Sequence, residues 1–306
     1  MTAVRQPAGS GRRRVSSEFA CAMPEGELSE AEIKKRFRTH VVCNDLAPDP
    51  LALFVGGQPG AGKSTLVPEL RDQGDFDGRR PVLIDPDGYR QFYPECCSGN
   101  VSHGPAAGKA IYRVLNRWVD LAIDYAASTR RNALVDGTLA DCHVFERRLH
   151  RFLDARFEVQ VVILAVPWVI SRINVVKRYL THYQLGGSAR RVPVSYQENA
   201  FDRLLDTAAF IDRSHLVSRV SVYRLWSPTV CHRAFPTDAP ESETPAAIDA
   251  SRQDASVRTE VIYDDSRADA GRYLDELAGT MPDSLHRELS DELDEIDALA
   301  TNFFNR

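Results

Sequence analysis

The sequence predicts an α/β fold in which a parallel sheet carries helices on both faces. Short apolar runs alternate along the chain with helix-compatible segments, an order typical of strand–helix–strand units. The runs lack the polar–apolar alternation of a half-exposed strand, as expected for parallel strands that are covered on both faces. With 306 residues, the chain is long enough for one large domain with appended segments.

Five apolar runs are the candidate strands. They are LALFVG (51–56), PVLID (81–85), NALVD (132–136), VQVVILAV (159–166) and VSVYRL (220–225). Between the second and third runs, apolar residues recur at spacings of three and four, which predicts an amphipathic helix. These residues are Ile111, Leu115, Trp118, Ala122 and Tyr125.

The N-terminal part precedes this pattern. Residues 1–27 are rich in Gly, Ser, Arg and Pro and are expected to be mobile. Ser29 and Glu32 then form a capping box, which predicts an N-terminal helix at the start of a main domain spanning residues 28–236.

The C-terminal part follows the main domain. Residues 237–259 are polar and rich in Pro, Ser and Ala, and we interpret them as a linker. Residues 260–306 hold thirteen acidic residues against four Lys or Arg, with apolar residues at helical spacing. This pattern predicts an acidic helical tail, which either packs on the main domain or serves as a partner-docking or autoinhibitory helix. Its apolar residues are Leu285, Leu289, Leu293, Ile296, Leu299 and Phe303.

Composition excludes several classes of protein. A net charge of −5 argues against a strongly basic nucleic-acid binder. No run approaches the roughly 20 apolar residues of a membrane helix, and the basic N-terminus lacks the apolar stretch of a secretory signal. We therefore expect a cytoplasmic protein without nucleic-acid or membrane partners. The six scattered cysteines suit reduced thiols better than a disulfide framework.

The strongest motif is GGQPGAGKST, which satisfies the phosphate-loop pattern and follows an apolar strand. Glycines allow backbone N–H groups to surround phosphate oxygens, and the following helix adds its positive N-terminal end. Lys63 can reach the β- and γ-phosphates, and the Ser64 hydroxyl can ligate Mg²⁺. The motif predicts a P-loop NTPase-type domain that binds ATP and Mg²⁺. The predicted nucleotide-binding residues are Gly57, Gln58, Pro59, Gly60, Ala61, Gly62, Lys63, Ser64 and Thr65.

Two further motifs end strands at the sheet edge where ligands bind in open α/β folds. In LIDPDGYR, Asp85 and Asp87 flank Pro86, and in an extended chain both side chains would point to one side. A carboxylate there can accept a proton from an attacking hydroxyl, as a small-molecule kinase requires. In ALVDGT, Asp136 could hold a magnesium water or a substrate hydroxyl, and Thr138 could donate to a ligand. Strand-end turns without function would give the same two patterns.

Basic residues cluster around the loop QLGGS. They are Arg172, Lys177, Arg178, Arg190 and Arg191. Mobile arginines can neutralise the charge of a transferred phosphoryl group, and a Gly-rich hinge suits a lid that closes over a nucleotide. A solvated basic helix face is the alternative interpretation.

From about Leu51 to Leu225 the chain resembles the zeta toxins, P-loop kinases that phosphorylate UDP-N-acetylglucosamine. The motifs that carry this resemblance are GGQPGAGKST, IDPDGYRQFYP, NRWVD (116–120), LVDGT, AVPWVISRINVVKRY (165–179) and RRVP (190–193). Only the first is common to P-loop proteins in general, so the ordered set is the more specific signal.

The resemblance implies roles for individual residues. Asp87 matches the general base that takes the proton from the sugar 3′-hydroxyl, and Lys63 and Ser64 match the phosphate and magnesium contacts. Arg178 and Arg190 match the lid arginines that stabilise the transferred group. Asp120, Asp136 and Thr138 fall at substrate-side positions. The resemblance also makes a UDP-sugar the expected substrate and an antitoxin protein a candidate partner.

Two departures from the family pattern bear on the substrate pocket. Asp120 and Asp136 stand where the prototype has glutamates, so each carboxylate is retracted by one methylene. Leu139, Ala140 and Asp141 follow the Gly-Thr pair where the prototype has an arginine. Two alternatives to a UDP-N-acetylglucosamine kinase therefore stay open. One is a kinase for another sugar, sugar nucleotide or antibiotic hydroxyl, and the other is a non-catalytic ATP-binding regulatory module.

Overall fold

The computed structural model describes residues 46–73, 76, 78–90, 105–186, 189–224, 231–234 and 242–305. The predicted mobile segment 1–27 and the helix expected from Ser29 and Glu32 lie outside the described residues. In the described part, no helix is long and apolar enough to cross a membrane.

In the part of the chain that the structure describes, six strands form a central sheet in the order β2-β3-β1-β4-β5-β6. The strands are β1 Leu51–Gly56, β2 Val82–Ile84, β3 Ala133–Asp136, β4 Glu158–Leu164, β5 Arg219–Tyr223 and β6 Cys231–Ala234. The first five are parallel, so the predicted parallel sheet is confirmed at all five apolar runs. β6 pairs antiparallel with β5 at the edge and was not predicted, because CHRA is short and lacks an apolar run.

Helices cover both faces of the sheet. They are α1 Lys63–Gln73, α2 Pro86–Arg90, α3 Pro105–Thr129, α4 Cys142–Asp154, α5 Trp168–Gln184, α6 Val194–Ser214, α7 Glu243–Arg252, α8 Val257–Glu276 and α9 Asp283–Phe304. One apolar core joins the sheet to side chains of α3, α4, α6 and α7, and a second joins it to α1, α5, α8 and α9. This two-sided burial explains why the strands are apolar without alternation.

The C-terminal part of the chain differs from its sequence-based interpretation in two ways. The expected linker, 237–259, contains α7, in which Ile248 is fully buried. At the start of α7, the Thr244 N–H donates to Asp212 Oδ2 at 2.9 Å. The expected tail helix is two helices, α8 and α9, separated by a turn at Gly279. A low apolar content concealed α7, because its burial depends on a few side chains and on a buried polar cap.

The acidic tail packs on the main domain. Leu289, Leu293, Ile296 and Ala300 lie on the inward face of α9 and belong to the same core as strands β1 and β4. Of the two alternatives that the sequence left open for the tail, packing is the arrangement seen in the structure.

Candidate active site

The phosphate-loop motif forms the turn between β1 and α1. Gly57 and Gly60 have positive φ angles of 146° and 80°, a backbone conformation that side chains with a Cβ rarely adopt. A Cβ on Gly60 would also lie 2.2 Å from the Ser171 carbonyl oxygen, and one on Gly57 would lie 2.7 Å from that of Leu164. The loop therefore requires glycine at both positions, since it is pressed against β4 and α5.

Side chains from neighbouring elements hold this loop in place. The buried Gln58 amide donates to the Val166 carbonyl at 2.9 Å, which ties the loop to the chain just after β4. From α5, Ser171 Oγ donates to the Pro59 carbonyl at 2.5 Å and Asn174 Nδ2 donates to the Gly60 carbonyl at 3.0 Å. These hydrogen bonds hold the loop against α5, beside the N-terminus of α1. The first N–H groups of a helix lack intrahelical partners, so this position favours anions.

Lys63 begins α1 and folds back over the loop. Its ammonium donates to the Gly57 carbonyl at 2.5 Å and to the Gln58 carbonyl at 3.2 Å. Burial lowers the pKa of the Lys63 ammonium, and the nearby carboxylate of Asp136 acts in the opposite direction. Ser64 and Thr65 follow at the exposed start of the helix, where their hydroxyls are accessible to a nucleotide and its metal ion.

Asp85 and Asp87 do not share one side of an extended chain, because β2 ends at Ile84 and Pro86 begins the short helix α2. Asp85 caps this helix, since its Oδ1 accepts the Asp87 N–H at 2.9 Å. Burial raises the pKa of the Asp85 carboxyl, although the backbone N–H of Gly88 favours its charged form. Asp87 lies in the first turn with 67% of its side chain exposed, and Arg190 Nη1 contacts its Oδ1 at 3.4 Å. Asp87 is therefore the more accessible carboxylate of the two.

Asp136 ends β3 beside the phosphate loop. Its Oδ1 is buried and accepts no hydrogen bond from the part of the chain that the structure describes. Burial raises the pKa of the Asp136 carboxyl to about 6, the charge of Lys63 lowers it, and the charges of Asp85 and Asp87 raise it further. A buried carboxylate oxygen without a donor has a cost, which a cation or a ligand hydroxyl would relieve.

The other substrate-side residues lie in different surroundings. Thr138 Oγ1 accepts the Ala140 N–H at 3.4 Å in the turn after β3. Asp120 lies between α3 and α4, where Arg148 Nε donates to its Oδ1 at 3.0 Å and its side chain is 15% exposed. The described contacts of the Asp120 carboxylate are thus with arginines of α4.

The basic cluster divides into two groups. Arg178 is exposed on α5, close enough to Lys63 for its charge to lower that pKa, and Arg190 contacts Asp87. The other members make ion pairs with the C-terminal helices, namely Arg172 with Glu292, Lys177 with Asp269, and Arg191 with Glu288 and Glu292. Arg178 and Arg190 are thus the basic residues of this set with described electrostatic links to the site.

Sequence reasoning missed the residues that support the site. Ser171 and Asn174 lie in the motif AVPWVISRINVVKRY, but the motif gives no sign that their side chains hold the phosphate loop. Glu292 is one of many acids in the C-terminal part, and its pairing with Arg172 depends on how α9 packs. No group of three or more His, Cys, Asp or Glu side chains suited to a metal occurs in the described ranges.

Comparison with known proteins gives the family. The model of the zeta toxin family matches residues 30–264, which is most of the chain. The chain belongs to the zeta toxin family. A curated relative, toxin PezT of Streptococcus pneumoniae, is 25% identical over 199 residues, which are 65% of this chain and 75% of the relative.

Solved structures agree on the fold. The chain is similar to a protein of the PezAT chromosomal toxin–antitoxin system of Streptococcus pneumoniae, with a TM-score of 0.64 and 19% identity over 81% of this chain and 98% of the other. It is also similar to a chain in the AvrRxo1-ORF1:-ORF2 complex with ATP, with a TM-score of 0.51 and 13% identity over 79% and 80% of the two chains. Family and phosphate loop together make this chain a kinase-like P-loop protein of the zeta toxin family.

Proposed function

We propose that this zeta toxin family protein is an ATP-dependent kinase that phosphorylates the 3′-hydroxyl of UDP-N-acetylglucosamine. The observation that carries the proposal is the placement of Asp87. Its exposed carboxylate lies close enough to Lys63 to influence the pKa of that ammonium, and it contacts Arg190. An exposed carboxylate, the loop lysine and an arginine are thus neighbours, and this set of groups supports the proposal because in-line transfer to a hydroxyl needs a proton acceptor and cations for the phosphates.

Each of these side chains has a task in the proposed reaction. The loop N–H groups and Lys63 bind the phosphates, and Lys63 reaches them by exchanging its two bonds to loop carbonyls for bonds to phosphate oxygens. Asp87 orients the acceptor hydroxyl and takes its proton during attack on the γ-phosphorus. Arg178 and Arg190 neutralise charge on the transferred group.

The site residues fit a magnesium ion bound with the nucleotide. When bound, this ion neutralises phosphate charge during transfer. The Ser64 hydroxyl would hold it, and Asp136 would hold one of its waters, since Asp136 Oδ1 is buried without a donor in the described structure. Thr138, in the turn after β3, stays a proposed substrate contact. The proposed nucleotide-binding role of residues 57–65 rests on the geometry of their loop.

The ion pairs of Asp120 favour a second class of phosphate acceptor as an alternative to UDP-N-acetylglucosamine. The resemblance places this residue at the sugar nucleotide, yet Arg148 occupies its carboxylate and Arg151 lies 3.8 Å away. A kinase of the same machinery with another sugar, sugar nucleotide or antibiotic hydroxyl as acceptor is therefore the second candidate. A regulatory module that binds ATP without transferring phosphate is the non-enzymatic alternative, and the exposed Asp87 argues against it.

The relatives support a partner as well. The PezAT structure concerns a toxin–antitoxin system, and AvrRxo1-ORF1 was solved in complex with AvrRxo1-ORF2. We propose that a protein antitoxin also binds this chain. Action in the cytoplasm stays a prediction from the sequence.

The test is mass spectrometry of candidate acceptors after incubation with the protein and ATP·Mg²⁺. The panel contains UDP-N-acetylglucosamine, other UDP-sugars, free sugars and an aminoglycoside. We expect one added phosphoryl group on UDP-N-acetylglucosamine. Transfer only to another acceptor would support the second candidate, and ATP binding without transfer to any acceptor would contradict the kinase proposal.

Two matched variants identify the base. Asp87→Asn is nearly isosteric but cannot take the proton, so we expect ATP binding to persist while transfer falls by roughly 10²–10⁴-fold. Asp85→Asn keeps a helix-capping oxygen and should retain most of the activity. If Asp85→Asn loses transfer and Asp87→Asn does not, the base has been assigned to the wrong carboxylate.

A further inference from the structure

Glu292 of α9 lies between two arginines that come from different parts of the kinase domain. Its Oε1 contacts Arg172 Nη2 of α5 at 3.1 Å, and its Oε2 accepts a hydrogen bond from Arg191 Nη2 at 2.5 Å. Glu288, one turn earlier on α9, contacts Arg191 Nη1 at 2.5 Å. One guanidinium is thereby held by two carboxylates on the same face of a helix.

This contact is shielded from solvent. The side chains of Arg172 and Glu292 are 4% and 12% exposed, so their pairing is not a surface ion pair of small effect. Leu289 and Leu293 flank Glu292 on α9 and lie in the apolar core. Packing of these leucines therefore holds the Glu292 carboxylate in place. We call its contacts with Arg172 and Arg191 the anchor.

Arg191 connects this anchor to the candidate active site. Its neighbour Arg190 contacts Asp87, while Arg191 contacts α9, so two successive side chains reach in different directions. The next residue, Val192, is buried, and its carbonyl accepts a hydrogen bond from Gln197 Nε2 of α6 at 2.9 Å. The segment 190–192 is thus tied to α9 on one side and to α6 on the other, with Arg190 between the anchor and the site.

We propose that Glu292 is a positioning residue for phosphoryl transfer, and that it acts by holding Arg191 so that Arg190 stays at Asp87. The inference rests on the proposed kinase function for its catalytic consequence. Its structural content, the anchoring of segment 190–192 by α9, is independent of the acceptor. At least one acidic residue of the C-terminal helices, Glu292, would then support catalysis instead of only solvating the surface or inhibiting the site.

The test compares Glu292→Gln with Glu295→Gln in the full-length protein. Glu295 lies on the same helix and is exposed, so the control removes one negative charge from α9 without touching the anchor. Hydrogen–deuterium exchange of the peptide covering residues 189–197 reports anchoring directly. We expect faster exchange in Glu292→Gln and unchanged exchange in Glu295→Gln.

Steady-state kinetics with the acceptor found for the wild type provide the second measurement. We expect Glu292→Gln to lower kcat by about ten- to a hundredfold, the equivalent of one hydrogen bond to a charged group, with little change in the KM for ATP. A purely structural role for Glu292 would lower Tm and leave the kcat of the folded fraction at the level of Glu295→Gln, which would overturn the proposal.

A second variant covers the case in which Glu292→Gln fails to fold. Arg191→Gln removes the same contact from the other side and leaves the buried pair of Glu292 with Arg172 intact. It should reproduce the faster exchange and the lower kcat. Unchanged exchange at 189–197 in this variant would contradict the anchoring. Absence of transfer by the wild type would instead contradict the proposed function, and the exchange comparison would still decide the anchoring.

Discussion

The Lys63 ammonium donates hydrogen bonds to two carbonyls of its own loop, those of Gly57 and Gln58. These bonds keep the side chain over the position where the β- and γ-phosphates are expected. The lowered pKa of Lys63 follows from its burial, and the carboxylate of Asp136 opposes that shift. The Lys63 ammonium is thus oriented by two hydrogen bonds to loop carbonyls, which phosphate oxygens can replace when a nucleotide binds.

We expect Lys63→Ala to lower phosphoryl transfer by at least about 10²–10³-fold, because a positioned charge on the phosphates is lost. Its circular dichroism spectrum and Tm should stay near those of the wild type. Lys177→Ala is the matched control, since Lys177 pairs with Asp269 at the surface between α5 and α8. Normal transfer by a folded Lys63→Ala protein would contradict the assignment of the loop.

Asp136 gives a prediction about pH. Its pKa of about 6 in the folded protein lies above the ordinary aspartate value of about 3.9, so between these values the folded state binds more protons than the unfolded state. The contribution of Asp136 to the free energy of unfolding therefore falls as the pH rises through this window, by on the order of 3 kcal/mol at most.

Urea unfolding of the wild type and Asp136→Asn between pH 4 and pH 7 measures this contribution. Asparagine does not titrate, so the stability of the variant should gain on that of the wild type as the pH rises. Parallel pH profiles for the two proteins would show that Asp136 has an ordinary pKa.

Helix α5 acts as the support of the phosphate loop. Ser171 and Asn174 each bind a loop carbonyl, and Ser266 of α8 in turn donates to Asn174 Oδ1 at 3.2 Å. The loop conformation thus depends on an element that is more than 100 residues away in sequence from the glycines themselves.

Asn174→Asp tests this support. The change replaces the amide donor toward the Gly60 carbonyl by an oxygen, so two acceptors face each other and the loop is pushed away from α5. We expect weaker ATP binding by about tenfold, measured by calorimetry, with a smaller effect for Ser266→Ala. Equal ATP affinity in Asn174→Asp and the wild type would mean that the loop needs no support from α5.

The elements that the sequence predicted well are those with a strong local pattern. The five parallel strands are continuous apolar runs, and the glycine spacing of the phosphate loop has one common structural meaning. β6 and α7 escaped prediction because a short edge strand and a helix with a polar cap depend on tertiary neighbours. The turn of the chain at Pro86 and the arginine partner of Asp120 are likewise set by packing, which a local pattern does not contain.

At the scale of the whole molecule, the C-terminal helices are part of the main body. α9 contributes to the core that also holds β1 and β4, and its acids bind arginines of the main domain. A helix placed in this way stabilises the fold, and we expect its removal to unfold the protein or make it aggregate rather than to raise its activity.

Leu293→Ala measures how much α9 contributes to stability. Leu293 is 2% exposed, so we expect the free energy of unfolding to fall by about 2–5 kcal/mol. Leu299→Ala on the same helix is the control, because Leu299 is 40% exposed and its truncation should cost well under half of that. Similar losses for both variants would indicate that α9 does not pack as a one-sided helix.

The contacts between α5 and α8 have one more consequence. Asn174 meets Ser266, Lys177 meets Asp269 and Gln184 meets Glu276, so each pair is separated by the same 92 residues. Two helices with a constant offset run parallel and in step, about 15 Å along their length. Substitutions can be absorbed one pair at a time, whereas deletion of one residue within either helix turns everything beyond it by about 100° and separates all later pairs at once. Natural length variation in this protein's relatives should therefore fall between these two helices and not inside them.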